Sequence, residues 1–324
     1  MTAPFDRIPD RSIIEAAANR IASWAHRTPV LTCAAIDQRV GAAVHFKCEN
    51  LQKVGAFKFR GATNAVFSLG DEEASRGVAT HSSGNHAQAL ALAARNRGIP
   101  AHVVMPSTSA APKKAAVIDY GAVVTECAPT LAARESTLDE VVARTGATFV
   151  HPYDDYRIIA GQATAAMELV EELPDLDVVL APVGGGGLLS GTALAVHHFS
   201  PGTRTIAAEP RGADDAFRSL AAGEIIPSVD PDTIADGLLT SLGQRNFPII
   251  RRHVERIVTV GDPTIIAAMR LVWERMKLII EPSSAVPLAA LLAGELDLSG
   301  ARIGVIVSGG NVDLDRLPWL PHHR

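Results

Sequence analysis

The chain has little with which to staple itself together. Its three cysteines, Cys33, Cys48 and Cys127, are odd in number, far apart and without Cys-x-x-Cys or Cys/His spacing, so neither a disulfide framework nor a zinc site is indicated. It also lacks an export signal, because MTAPFDRIPDRS at the start places charges where an apolar stretch is required. A reducing cytoplasm is the expected location. No basic stripe is present: the 30 basic and 35 acidic residues are mixed along the sequence and leave a net charge of −5, which makes nucleic acid an unexpected partner. The segment Val178 to Val196 is uncharged and almost long enough to cross a bilayer, but Pro182 and five glycines, four of them consecutive, would make it a poor continuous helix. A buried strand, a glycine loop and a helix explain it better than a membrane span.

What is present suits a compact α/β protein. The 324 residues are 47% hydrophobic and 20% charged, with 26 glycines and 20 prolines, enough for one large domain or for two that share a site. Short β-branched runs lead repeatedly through Gly, Ser, Pro or Asn into alanine-rich stretches, the pattern of βα units. Val78-Ala-Thr precedes a helix from about His86 to Arg97, and Ala101-His-Val-Val-Met precedes one across Ala110 to Tyr120. Ala122-Val-Val-Thr precedes one across Leu131 to Thr145, before Thr148-Phe-Val. These units predict a small open sheet. A second parallel sheet is expected from Val178-Val-Leu-Ala-Pro-Val, Thr205-Ile-Ala-Ala-Glu and Ile303-Gly-Val-Ile-Val. A helix from about Ser12 to Trp24, with Ile14, Ala17, Ala18 and Ile21 on one face, and the strand-like Val44-His-Phe-Lys complete the reading. Ligands in such folds sit beyond the carboxyl ends of strands.

Four loops carry unusual residues. Lys58 lies between Phe57 and Phe59; a lysine among apolar neighbours loses hydration, its pKa falls, and its amine becomes nucleophilic. Taken alone, it is more often a snorkelling surface residue. His81-Ser-Ser-Gly-Asn-His follows a strand and opens a helix, where free N–H groups can hold an anion or where Ser and Asn simply cap. Pro182-Val-Gly-Gly-Gly-Gly-Leu-Leu repeats the arrangement with four glycines, which lets a phosphate approach the backbone amides. It fits neither a P-loop nor a dinucleotide fingerprint. Val307-Ser-Gly-Gly-Asn-Val ends the last strand, where Ser308 could also serve only as a turn residue.

In this order and spacing the Phe-Lys-Phe-Arg-Gly-Ala, Ser-Ser-Gly-Asn-His, Gly-Gly-Gly-Gly-Leu and Ser-Gly-Gly-Asn segments resemble the fold-type-II pyridoxal-phosphate (PLP) enzymes of the serine/threonine dehydratase and serine racemase family, which includes 3-hydroxyaspartate dehydratases. The likeness runs from about Ile13 to Asp313. It implies two open twisted parallel-sheet α/β domains of the tryptophan-synthase-β kind with PLP between them, residues 1–67 and 152–324 forming the larger and 68–151 the smaller. It further implies that Lys58 carries the cofactor as a Schiff base, that Phe57 packs on the ring, and that Gly184, Gly185, Gly186, Gly187 and Leu188 hold the phosphate. Asn85 would bond the ring hydroxyl and Ser308 would face the ring nitrogen. The Ser82, Ser83, Asn85 and His86 loop would bind the substrate α-carboxylate.

A neutral serine at the ring nitrogen, in place of a carboxylate, favours loss of a β-substituent. The expected reaction is therefore removal of water from serine, threonine or 3-hydroxyaspartate to give a 2-keto acid and ammonia, with Lys58 as base. Ser83 matches the serine that racemases and hydroxyaspartate dehydratases have on the opposite face of Cα, so serine or aspartate racemisation is the alternative, unless Ser83 only caps a helix. β-Replacement is a third and less favoured reaction. Arg134 resembles the arginine that meets a distal carboxylate in racemase-like members, or else pairs with a nearby acid. Glu209, the carbonyl of Ala213 and Asp215 match a divalent-cation segment, and oxygen ligands favour magnesium or calcium, with manganese as a further option. The likeness also suggests a homodimer, and no C-terminal regulatory extension of the threonine-deaminase kind is expected.

Overall fold

The computed structural model describes residues 5–109 and 111–320. Their strands are β1 (Val30–Thr32), β2 (Ala43–Cys48), β3 (Val78–His81), β4 (Ala101–Pro106), β5 (Val123–Cys127), β6 (Thr148–Phe149), β7 (Val178–Pro182), β8 (Arg204–Pro210), β9 (Arg256–Val260) and β10 (Arg302–Val307). They form a six-stranded sheet in the order β1-β2-β10-β7-β8-β9 and a four-stranded sheet in the order β5-β4-β3-β6. Every pairing is parallel except β1 with β2. Two parallel-sheet α/β domains result, as the sequence predicts.

Continuous apolar runs become central strands because helices cover both faces of the large sheet. Alternate residues of β7, Val178 and Leu180, join Ile303 and Val305 of β10 in a core with Ile265, Met269 and Leu288. Val179 and Ala181 point the other way, into a core with Ile159, Leu189 and Ile250. A third core lies on the small sheet, where Val103 and Met105 meet Ala62, Val66 and Leu90.

Two strands are not foreshadowed by the sequence pattern. β1 has only three residues, and β9 is partly exposed along its length, so neither has a sustained apolar run. The first helix spans Arg11–Ile21, capped by Asp10, whose carboxylate accepts from the Ile13 amide at 3.0 Å. It buries Ile13 instead of the expected Ala18, because it packs on Ala160 through Ile13 and Ala17. It also stops short of Trp24, whose ring meets that of Phe67 at 4.8 Å with a tilt of 35°. The helix expected from Ala110 runs Ala111–Asp119, and Ala110 itself lies outside the described residues. The helices Asn85–Arg97 and Leu131–Thr145 agree with the sequence.

Candidate active site

Lys58 opens the helix Lys58–Phe67, and the residues immediately downstream fix its position. Two residues on, Arg60 is fully buried and bonds Glu49 through Nε (2.7 Å) and Nη2 (2.9 Å) and Glu168 through Nη1 (2.7 Å) and Nη2 (2.8 Å). Lys47, also buried, gives a further bond to Glu168 at 2.6 Å, so two cations meet two carboxylates. A buried network of this kind contributes geometry more than stability, yet loss of one partner costs about 3–5 kcal/mol. Upstream, the Phe57 amide donates to the Ser308 carbonyl at 3.0 Å and Ala56 bridges Gly309. The start of the Lys58 helix is thereby stitched to the loop after β10.

Lys58 is half-buried, with Nζ donating to the Pro152 carbonyl at 2.8 Å and lying 5.2 Å from the Phe57 ring centre. Loss of hydration pushes its pKa down to about 8, against an opposing pull from Glu281. The next residue after Pro152, Tyr153, covers the glycine loop. A Cβ on Gly185 would come within 2.5 Å of the Tyr153 ring, and Gly186 takes φ +92° at the N-cap of the helix Gly187–Phe199. The glycines are thus required by packing as well as by open access. No backbone carbonyl among the described residues accepts from the N–H groups of Gly184 to Leu188, which leaves a cradle of donors at a helix N-terminus.

Across the cleft, Ser82 is half-buried and Ser83 is exposed, and the helix Asn85–Arg97 is capped by Gly84 without any side-chain bond. Ser83 therefore does not serve as the cap of this helix. Asn85 Nδ2 donates to both Glu281 oxygens at 3.0 and 3.1 Å, and its Oδ1 accepts from Asn311 Nδ2 at 2.8 Å. Burial, then the charge of Asp236, pushes Glu281 up to about 7. His86 is buried with Nε2 at 3.3 Å from the Val150 carbonyl and Nδ1 without a partner; burial first and Lys58 second hold its pKa well below the usual value. Ser308, also buried, lies 2.9 Å from the Ser284 hydroxyl.

His81, Phe149, His151 and Tyr153 line the cleft as a chain of ring contacts, His151 meeting Tyr153 edge-on at 4.6 Å. His151 Nδ1 accepts from the amides of Tyr153 and Asp154, and burial pushes its pKa down to about 4. It is a neutral Nε2–H donor at pH 7. Arg134 lies on the helix Leu131–Thr145, which packs on β3, the strand that ends at His81, and after burial its charge is the next cause lowering the pKa of His81. Its Nε is buried without a hydrogen bond.

Glu209, Ala213 and Asp215 are all buried together at the end of β8. The Glu209 oxygens accept from the amides of Ala216 (2.9 Å) and Phe217 (2.8 Å), whereas neither Asp215 oxygen makes a well-formed hydrogen bond. Burial pushes Glu209 up to about 8 and Asp215 up to about 6. Two buried acids with spare oxygens fit a hard cation. Side chains alone give no cluster of three or more ligating His, Cys, Asp or Glu among the described residues, so the backbone carbonyl would have to contribute.

Sequence reasoning assigns no role to Asn311, which lies in the Ser-Gly-Gly-Asn segment, and does not find Glu281, Ser284, His151 or Tyr153. The one signal for Glu281 is an acid directly before a proline that starts the apolar helix Pro282–Leu292. Among the described residues no helix is long and apolar enough to cross a membrane; Val178 to Val196 is strand, glycine loop and helix.

The donor cradle, the amine with a lowered pKa, the Asn85 amide and the Ser308 hydroxyl fit PLP, with an anion seat, a carbonyl-reactive nitrogen and two ring contacts. Comparison with known proteins agrees. A family model described as "Pyridoxal-phosphate dependent enzyme" matches residues 21–309. A "beta-hydroxyaspartate dehydratase" of Paracoccus denitrificans is 53% identical over 312 residues, 96% of this chain and 99% of that one. The crystal structure of serine racemase from Dictyostelium discoideum superposes with a TM-score of 0.91 at 49% identity, covering 94% of this chain and 99% of that one. A crystal structure of a T.th. threonine deaminase gives 0.89 at 43% identity, covering 94% and 99%. The chain belongs to the pyridoxal-phosphate dependent enzymes.

Proposed function

We propose that this protein is an ammonia-lyase that removes water from a β-hydroxy amino acid, with 3-hydroxyaspartate as the preferred substrate and oxaloacetate and ammonia as products. The observation that carries the choice of a diacid is Arg134, whose Nε is buried without a partner on a helix that packs against the strand ending at His81. A guanidinium in that position matches a second carboxylate and has nothing to offer the methyl group of threonine.

When bound, PLP holds the amino-acid nitrogen and draws electron density from Cα, which makes the Cα proton acidic. Lys58, with its lowered pKa, takes that proton as general base. The N–H groups of the Ser82–His86 loop hold the α-carboxylate, and Arg134 with His151 Nε2–H holds the distal one. Gly184 to Leu188 anchor the phosphate, Phe57 packs on the ring and Asn85 bonds its hydroxyl. Ser308 offers the ring nitrogen a neutral hydroxyl, which supports departure of the β-hydroxyl.

Racemisation is the second reading, favoured by Ser83, which is exposed and free of the helix cap. Glu209, the Ala213 carbonyl and Asp215 are proposed to hold magnesium, calcium or manganese, supported by the unsatisfied Asp215 oxygens. The proposal extends to a homodimer with the domain division at 68–151, working in the cytoplasm, to which the free thiols of Cys33, Cys48 and Cys127 are suited.

The test is keto-acid and ammonia release from every isomer of 3-hydroxyaspartate and both enantiomers of serine and threonine, with chiral chromatography of recovered substrate. Turnover of a 3-hydroxyaspartate isomer above the monoacids is expected. A preference for threonine sinks the diacid assignment, and inverted substrate without keto acid makes the protein a racemase.

A further inference from the structure

Glu281 stands at the N-cap of the helix Pro282–Leu292, yet its side chain makes no capping bond to that helix. The residue is 5% exposed, and its carboxylate is directed instead at Asn85 across the cleft. Both oxygens accept from Asn85 Nδ2, and Oε2 also accepts from the Asn311 amide at 3.2 Å. Asn311 Nδ2 closes the ring by donating to Asn85 Oδ1 and to the Val54 carbonyl, both at 2.8 Å. Asn85 opens the helix that packs on the small sheet, whereas Glu281 opens a helix of the large-sheet core and Asn311 follows the large-sheet strand β10.

We propose that Glu281 is a positioning residue that locks the Asn85 side-chain amide in the one orientation able to donate to the cofactor ring hydroxyl. With Glu281 ionised, the chemistry of the ring of bonds allows no other orientation. A flipped amide would set its Oδ1 against the Glu281 carboxylate and its NH2 against the Asn311 NH2, pairing acceptor with acceptor and donor with donor. In the observed orientation one Asn85 N–H is shared between the Glu281 oxygens, and the second remains for the cofactor. In its ionised form the carboxylate suits this task because both oxygens only accept. Glutamine of the same shape would present one NH2 to a donor, either Asn85 Nδ2 or the Asn311 amide. The pocket is built around the carboxylate: the Glu281 amide donates to the Gly309 carbonyl at 3.0 Å, and a Cβ on Gly309 would fall 2.8 Å from Glu281 Oε1.

The inference rests on the reading of Asn85 as the partner of the ring hydroxyl, and the test separates the two. The variants are Glu281→Gln, Glu281→Asp, Asn85→Ala and the Asn85→Ala/Glu281→Gln double, each as holoenzyme. The readouts are the absorbance maximum of the bound cofactor, kcat and the melting temperature. Asn85→Ala should shift the absorbance maximum; an unshifted band removes the reading of Asn85 itself. Glu281→Gln and Glu281→Asp should shift it in the same direction while the cofactor stays bound through the glycine loop, with kcat down about tenfold, the kinetic equivalent of one hydrogen bond. In the Asn85→Ala background the Glu281→Gln change should add nothing further, because coupled residues do not add. A wild-type spectrum in a folded Glu281 variant, or an undiminished Glu281→Gln effect in the double variant, overturns the proposal. Failure of both Glu281 variants to fold overturns it as well, by assigning the residue to the fold.

Discussion

The Lys58 amine donates a hydrogen bond of 2.8 Å to the Pro152 carbonyl, which holds Nζ in a site that burial strips of hydration. A carbonyl acceptor serves an ammonium at least as well as an amine, so lost hydration, which disfavours the charged form, sets the balance. Burial brings the pKa down to about 8 against the pull of Glu281. Only the neutral form attacks a carbonyl, so uptake of PLP by the apoprotein should quicken with rising pH and level off above about 8. Below that value the rate should climb about tenfold per pH unit. Stopped-flow absorbance measures it, and Lys58→Ala should abolish both the cofactor band and turnover. An ordinary lysine titrates roughly two units higher, so a rate that goes on climbing through pH values of about 10 contradicts the lowered pKa.

Arg134 should decide between one and two carboxylates. Its Nε is buried without a partner, so a bound distal carboxylate supplies a bond that the free protein lacks. A charge-assisted bond contributes about 1.5–3 kcal/mol, equivalent to roughly ten- to hundredfold in binding. Arg134→Met should raise KM for 3-hydroxyaspartate by that factor and leave KM for serine within about twofold. Steady-state kinetics with both substrates provide the check. Equal losses for the two would place Arg134 in the general architecture of the cleft.

Much of this arrangement is legible in the amino-acid sequence. The glycine loop and Lys58 are local strings whose chemistry follows from composition, and the βα units follow from β-branched runs that precede alanine-rich helices. The second set of residues is hidden for a physical reason. Glu281 lies 196 positions from the Asn85 amide that it holds, and no periodicity in either segment marks a contact made across a cleft. His151 and Tyr153 sit in a short connection after β6 that has no repeating pattern. β9 and β1 stay out of sight because exposed or very short strands leave no apolar run to detect.

The Glu209 and Asp215 pair should make stability depend on a divalent cation. Both acids are buried, and the Asp215 oxygens lack well-formed hydrogen bonds. A cation that binds only the folded protein adds about 2.7 kcal/mol at a hundred times its Kd, which corresponds to several degrees in Tm. Chelation should lower Tm by that amount, and magnesium or calcium should restore it. Asp215→Asn should remove most of the response, because it takes away charge while keeping the side-chain shape. Differential scanning calorimetry with and without chelator is the measurement, and an unchanged Tm in both proteins would eliminate the cation from this loop.

Ser308 should set the balance between elimination and racemisation. It is buried, and its hydroxyl faces the Ser284 hydroxyl at 2.9 Å. Ser284 already donates to the Gly309 carbonyl at 2.6 Å, which leaves the Ser308 proton as the one available to a ring nitrogen. Ser308→Ala removes that donor alone, a net loss of about 1 kcal/mol that should weaken cofactor retention slightly without changing the product ratio. Ser308→Asp does something different. It places a carboxylate where only a hydroxyl is matched, so the apoprotein carries an uncompensated buried charge at a cost of several kcal/mol and should melt well below the parent. In the holoprotein the carboxylate favours a protonated ring nitrogen, and the aspartate variant should regain part of its stability on adding PLP. The same change should move turnover away from keto-acid release towards exchange of the Cα proton. Parallel measurement of keto acid and of deuterium incorporated at Cα resolves the two, and an unaltered ratio in Ser308→Asp would remove Ser308 from control of the reaction.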